Sequence, residues 1–164
     1  MPAFLANDIL RMWRTFCVNY EARTKTEPAE QKAKRKLKNY KLKHSRLLTC
    51  YSALLYLTAI YSKQQTVSPN DVLTMISMTP TQRIEWMLTQ GSLVEAHPKL
   101  KQLIQLYERF LESTASSEAD LIAKFLDKEE GKKYLSSAYQ FGDVMFETLN
   151  LIGKGSLFHR LLVV

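Results

Sequence analysis

From Asn7 to Glu21 apolar side chains return at steps of three and four: Ile9, Leu10, Trp13, Phe16, Cys17 and Tyr20. That spacing winds them onto one face of a helix, so the stretch is expected to be an amphipathic α-helix. A second start signal follows in Thr26, Pro28 and Glu30. Proline is harmless in a first turn because its missing N–H would find no intrahelical partner there. No glycine or proline then interrupts the chain to about Tyr61, which predicts either one helix of more than thirty residues or two with a bend. The first half of this stretch is amphipathic, with Leu37, Tyr40, Leu47, Leu48 and Tyr51 as its stripe. The second half, LLTCYSALLYLTAIY, is apolar nearly all round, the pattern of a central helix packed on several neighbours.

Downstream, the start signals are compact. Ser68-Pro69-Asn70-Asp71 opens a short helix to about Ser77, and Thr79-Pro80 opens another that runs to Gln90 and stops at Gly91. His97-Pro98 begins a helix through Leu111, with Leu100, Leu103, Ile104, Tyr107, Phe110 and Leu111 on one face. Ser116 or Ser117 caps a segment ending near Asp127, and a last long helix runs to Asn150, with Gly153 expected in the left-handed stop position. The tail SLFHRLLVV is apolar and suits a short helix or an extended strip docked on the body. Strand alternation is not found. The expected fold is all-α, a single domain over 1–164 with six to eight helices around a long central one.

Charge changes this picture in one place. The chain carries 23 Lys/Arg against 16 Asp/Glu, and the 25 residues from Ala22 to Arg46 hold ten of the former and two of the latter. That window is net +8 and the other 139 residues are net −1. A concentrated basic helix meets phosphate, an acidic protein surface, or only water. On a helical projection Lys32, Lys36, Asn39, Lys43 and Arg46 form one edge, and Lys34, Lys38 and Lys41 another. On the first helix Asn7, Arg11 and Arg14 fall within about 60° of one another at ~100° per residue, with Asp8 and Thr15 beside them. They read either as a solvated face with an Asp8–Arg11 pair, or as two guanidiniums held to grip phosphate or carboxylate.

Catalytic constellations are not legible. His44, His97 and His159 are scattered, and none stands in H-E-x-x-H spacing. His97 reads as a helix-start residue and His44 as part of the apolar flank of the basic helix. Cys17 and Cys50 have no neighbouring cysteines or histidines at ligand spacing and read as buried free thiols. Gly91-Ser92 reads as a turn and Gly153-Lys154-Gly155-Ser156 as a helix end and exit loop, since no strand precedes it as a phosphate loop would require. Asp127, Glu129 and Glu130 suit the positive end of a helix dipole. No signal peptide is read at the start and no apolar run approaches the ~18 residues of a span, so a cytoplasmic protein without a membrane contact is the expectation.

The segments FLANDILRMWRTFCVNYEAR and KLKNYKLKHSRLLTCYSALLYL resemble the helical region that follows the catalytic domain in a group of bacterial nucleotidyltransferase-like proteins of the polymerase-beta superfamily. In that group an N-D-[hydrophobic]₂-R-[YFM]-W-R-T segment precedes a Lys/Arg-rich L-K-N-x-K-L-K-x-S-R helix. The matches here are Asn7, Asp8, Arg11, Trp13, Arg14 and Thr15, then Lys38, Asn39, Lys41, Lys43, Ser45 and Arg46. The closing GKGSLFHRLLVV is also similar, whereas residues 65–140 agree only in helical character. The group's Gly-Ser and paired metal-binding acids have no counterpart in this sequence. The resemblance therefore implies a non-catalytic, substrate-side domain that packs on or completes a nucleotide pocket. Asn7, Asp8, Arg11, Arg14, Lys36, Lys43 and Arg46 would contact phosphate or a palm domain supplied in cis or in trans. It implies no cofactor in this chain itself, Mg²⁺ entering only with the palm. Two other readings stand beside it: a basic helical module binding nucleic acid through the Lys32–Arg46 face, and a protein-interaction scaffold, possible as a homodimer through the apolar tail.

Overall fold

The computed structural model describes residues 3–21 and 28–156. The expected helix start at Thr26, the apolar tail from Leu157 onward and His159 lie outside the described residues. All regular structure among those described is helical. Helix α1 is Ala3–Glu21, beginning one turn before the expected Asn7. A continuous helical rod follows from residue 29 to residue 64, made of α2 (Ala29–Lys41), a π turn (Leu42–Arg46) and α3 (Leu47–Gln64). The remaining helices are α4 (Pro69–Ser77), α5 (Pro80–Leu88), a 3₁₀ segment (Gly91–Ala96), α6 (His97–Ser113), α7 (Glu118–Leu126) and α8 (Lys128–Gly153).

The start signals act through hydrogen bonds that each helix cannot supply for itself. The Ser68 and Thr79 hydroxyls accept the N–H groups of Asp71 and Gln82, whose side chains accept the N–H of Ser68 and Thr79 in return. The Ser117 hydroxyl caps α7, and Asp127 accepts the N–H groups of Glu129 and Glu130 at the start of α8. The Ser68 hydroxyl, which also donates to the Asp71 carboxylate at 2.7 Å, and then the Ser68 N–H hold the Asp71 carboxyl below the ordinary carboxylate range, as the N–H groups of Glu130 and Glu129 do for Asp127.

α3 is the axis of the molecule. Leu48, Leu54, Leu55 and Leu57 are buried on different sides of it, and it packs against α1, α4, α5 and α8. A second cluster joins Ala33, Leu37 and Tyr40 of α2 to Phe110, Leu121, Phe125 and Ala138, and Tyr107 packs on both clusters. Arg83 of α5 is buried beside α3, where it donates to the carbonyls of Met75 and Thr49 and to the Ser52 hydroxyl.

Two expectations are corrected. Leu111 is half exposed and Leu106 is buried in its place. The buried arc of α6 centres on Leu103, from which Leu106 lies about 60° away and Leu111 about 80° on the other side. Gly153 is not the left-handed stop. It is the buried last residue of α8, Lys154 leaves the helix, and Gly155 takes the positive φ of 76°. The helix runs on because Leu149 and Ile152 are core residues and the Ser62 hydroxyl donates to the Ile152 carbonyl at 3.2 Å. The Gly91-Ser92 turn tightens into 3₁₀ structure, with the His97 ring 3.1 Å from the Gln90 carbonyl across it.

Candidate functional site

α1 and α2 diverge enough to leave a groove of about 670 Å³ between them. Phe16, Asn19 and Tyr20, spaced by three and four, form the α1 wall. Gln31, Lys34, Arg35, Lys38 and Lys41 of α2 form the other, and Leu42, Ser45 and Arg46 of the π turn close one end. Five cationic side chains line this space, and among the described residues no carboxylate does. The Tyr20 hydroxyl donates to the Arg35 carbonyl at 3.4 Å, tying the two walls together. The Arg46 guanidinium lies over the Phe16 ring, 5.3 Å from its centre, a position that leaves its N–H fork open to a planar anion. Lys34 approaches Glu118 of α7 at 3.9 Å, with both side chains solvated, so that contact holds it weakly.

The π turn decides which cations meet. In it the Leu47 N–H reaches the Leu42 carbonyl five residues back, one residue more than an α-helix spans. On an uninterrupted α-helix Arg46 would sit about 80° from both Lys36 and Lys38. One extra residue removes ~100°, which brings Arg46 within about 20° of Lys34 and Lys38 and turns it away from Lys36. The edge that the sequence projection assigned to Lys36, Lys43 and Arg46 is therefore split. Arg46 belongs to the groove, Lys43 sits 3.8 Å above the Tyr139 ring of α8, and Lys36 lines a separate cavity against α7 and α8.

The same turn carries His44, which is fully buried. Its ring stacks on Phe110 at 4.5 Å and 6°, and on Phe141 at 5.0 Å. Nδ1 donates to the Tyr40 carbonyl at 3.0 Å, which leaves Nε2 as a lone-pair nitrogen with no partner among the described residues. Burial pushes its pKa below the ordinary histidine value, the Tyr40 bond opposing that only in part. His44 is thus a neutral member of an aromatic cluster. Cys50 is buried, its thiol pushed up to about 11 by desolvation, whereas Cys17 is half-buried. Among the described residues no group of His, Cys, Asp and Glu is placed to hold a metal ion.

The α1 residues singled out from sequence stand apart from the groove. Asp8 and Arg11 form an exposed ion pair at 2.8 Å, Arg14 is exposed and Asn7 is half-buried. Arg11 and Arg14 project at least ~120° round the helix from Phe16 and Tyr20. Of the seven candidate site residues, only Arg46 lines the groove. Arg35, Phe16 and Tyr20 were missed as site residues. The available signal was the i,i+4 repetition of aromatics on α1 together with that of Lys34 and Lys38 on α2.

No protein-family model, no curated protein and no solved structure matches this chain.

Proposed function

We propose that this chain is the helical, non-catalytic, substrate-side domain of a nucleotidyltransferase-like protein, and that it holds nucleotide phosphates in the groove between α1 and α2. The observation that carries the reading is a cavity of about 670 Å³ lined by Lys34, Arg35, Lys38, Lys41 and Arg46, with no lining carboxylate among the described residues. Apart from the weak Lys34–Glu118 contact, no ion pair among the described residues offsets the mutual repulsion of these cations, and a polyanion relieves it. The volume falls within the ~300–1,000 Å³ of small-ligand sites. Phe16, Tyr20 and Leu42 offer an apolar wall for a base while the opposite wall takes the phosphates. Group transfer would need a carboxylate pair holding Mg²⁺, which this reading assigns to a palm domain in cis or in trans. The outward face of α1, with Asn7, Asp8, Arg11 and Arg14, is then the palm-facing surface.

The test is calorimetric titration of the chain with ATP and Mg²⁺ at low ionic strength. Weak saturable binding is expected, weakening at least tenfold in the Lys38→Glu/Arg46→Glu double variant, whose exposed positions leave the fold intact. Binding that survives this double reversal would reject the groove. The nucleic-acid reading draws on the exposed Lys32 and Lys36, which extend the positive face beyond the cavity. It expects affinity that grows with oligonucleotide length and falls steeply with salt, whereas a nucleotide site saturates at one nucleotide.

A further inference from the structure

The opposite edge of α2 borders a second cavity, of about 360 Å³, where that helix meets the end of α7 and the first turns of α8. Its chemistry differs from that of the groove. Tyr40, Phe125 and Leu135 supply aromatic and aliphatic walls, while Lys36, Lys128 and Lys132 supply ammonium groups and Asn39 an amide. Tyr40 and Phe125 are almost wholly buried and line the cavity from the protein side. The three lysines are exposed and stand at the mouth, with long apolar stems that let the charge stay in water.

Gly131 adds no side chain to this space. It lines the cavity, and a methyl group there would meet only the Phe125 backbone, at 3.6 Å and beyond. Lys132 already takes a carboxylate, that of Glu129, at 2.8 Å. Lys36 and Lys128 have no ion pair among the described residues, so the mouth holds more positive charge than the protein itself neutralises. At ~30 Å³ per water the cavity has the volume of about a dozen water molecules, and so of a compact ligand with about a dozen non-hydrogen atoms.

We infer that this cavity is a binding site for an aromatic carboxylate, its ring lying on Tyr40 and Phe125 and its anionic group meeting Lys36, Lys128 and Lys132. The ring recovers apolar contact with the aromatic wall, and the carboxylate stays at the solvated mouth where charge-assisted hydrogen bonds form without burying an ion. A neutral aromatic gains the first of these only. An aromatic amine meets the like charges of Lys36 and Lys128, which no ion pair among the described residues offsets.

Three ligands of matched shape test this on the full chain by calorimetry: 2-naphthoate, 2-naphthalenemethanol and 2-naphthylmethylamine. The carboxylate is expected to bind saturably at one site, the alcohol at least tenfold more weakly, and the amine not measurably. Gly131→Leu fills the cavity and is expected to abolish naphthoate binding. Lys128→Glu/Lys132→Glu alters only exposed positions and is expected to weaken it at least tenfold, with ATP binding in the α1–α2 groove unchanged in that variant. The inference is overturned if the amine binds as tightly as the carboxylate, if naphthoate fails to bind at millimolar concentration, or if both variants bind it as the unaltered chain does.

Discussion

α2 and α3 are one uninterrupted rod and yet opposite kinds of helix. α3 has Leu48, Cys50 and every residue from Ser52 to Tyr61 buried, polar Ser52 and Thr58 included. α2 buries only Ala33, Leu37 and Tyr40, and Lys32, Lys34, Lys36, Lys38 and Lys41 are exposed. A helix apolar all round needs neighbours on every side and finds them in α1, α4, α5 and α8. A helix with a narrow apolar stripe has one side to anchor and two edges to spare, and each edge of α2 becomes the wall of a cavity. The difference teaches how a small helical protein divides its labour. One half of the rod supplies rigidity, and the other is held by that rigidity while presenting charge to solvent.

The sharpest way to break this contrast is to remove equal bulk from each half. Leu54→Ala empties a fully buried site in α3 and is expected to cost about 2–5 kcal/mol, the range for cavity-forming truncations. Lys38→Ala in α2 removes a comparable number of atoms from an exposed position and is expected to stay within about 0.5 kcal/mol. Urea denaturation of the two variants checks the pair. Similar losses in both would mean that α2 is as much a core element as α3.

How much of this was readable in the sequence depends on which physical signal each feature leaves. Caps leave a local one, and Ser68-Pro69, Thr79-Pro80, Ser117 and Asp127 start the helices where their side chains predict. The all-round apolar pattern of α3 likewise reports its central position. The π turn leaves none. Nothing in LKHSR distinguishes it from α-helix, because the extra residue is selected by where Tyr40 and His44 must point to join Phe110 and Phe141. A projection at constant pitch therefore put Arg46 on the wrong edge. For the same reason α1 misled. Its Arg11 and Arg14 carry the local charge pattern, but the groove forms on the far face, through Phe16 and Tyr20, and only the packing of α1 beside α2 makes those residues walls.

A middle-sized effect sharpens the comparison at the junction itself. His44 is held neutral in the fold, with a pKa below the ordinary 6.5. Its contribution to stability is therefore complete above pH 6.5 and is lost as pH falls through the depressed folded value, because only the unfolded chain then takes up the proton. His44→Phe keeps a flat ring between Phe110 and Phe141 but gives up the bond to the Tyr40 carbonyl. At pH 7.5 it is expected to be less stable by about 1 kcal/mol. Between pH 7.5 and 5 its stability should decline less than that of the unaltered chain, as read from urea midpoints at each pH. Parallel declines would remove His44 from the acid limb and leave the junction's burial without a consequence for folding.

The smallest effect tests the surface that lies outside both halves of the rod. Asp8 and Arg11 are 64% and 76% exposed, at 2.8 Å. In water such an i,i+3 pair couples by only ~0.2–0.5 kcal/mol, and salt screens part of that. A double-mutant cycle with Asp8→Ala and Arg11→Ala in the chain alone is expected to return this value and to shrink further in 1 M salt. The two side chains sit on the face of α1 turned from the groove, so nothing within the described fold asks for them to be ordered. If that face packs against a palm domain, the same cycle measured with the palm joined should show a larger coupling that salt no longer erodes, because excluding water from an ion pair strengthens its Coulomb term. A coupling equally small in both settings would leave the outer face of α1 solvated, and would confine the chain's dealings with charge to the two edges of α2.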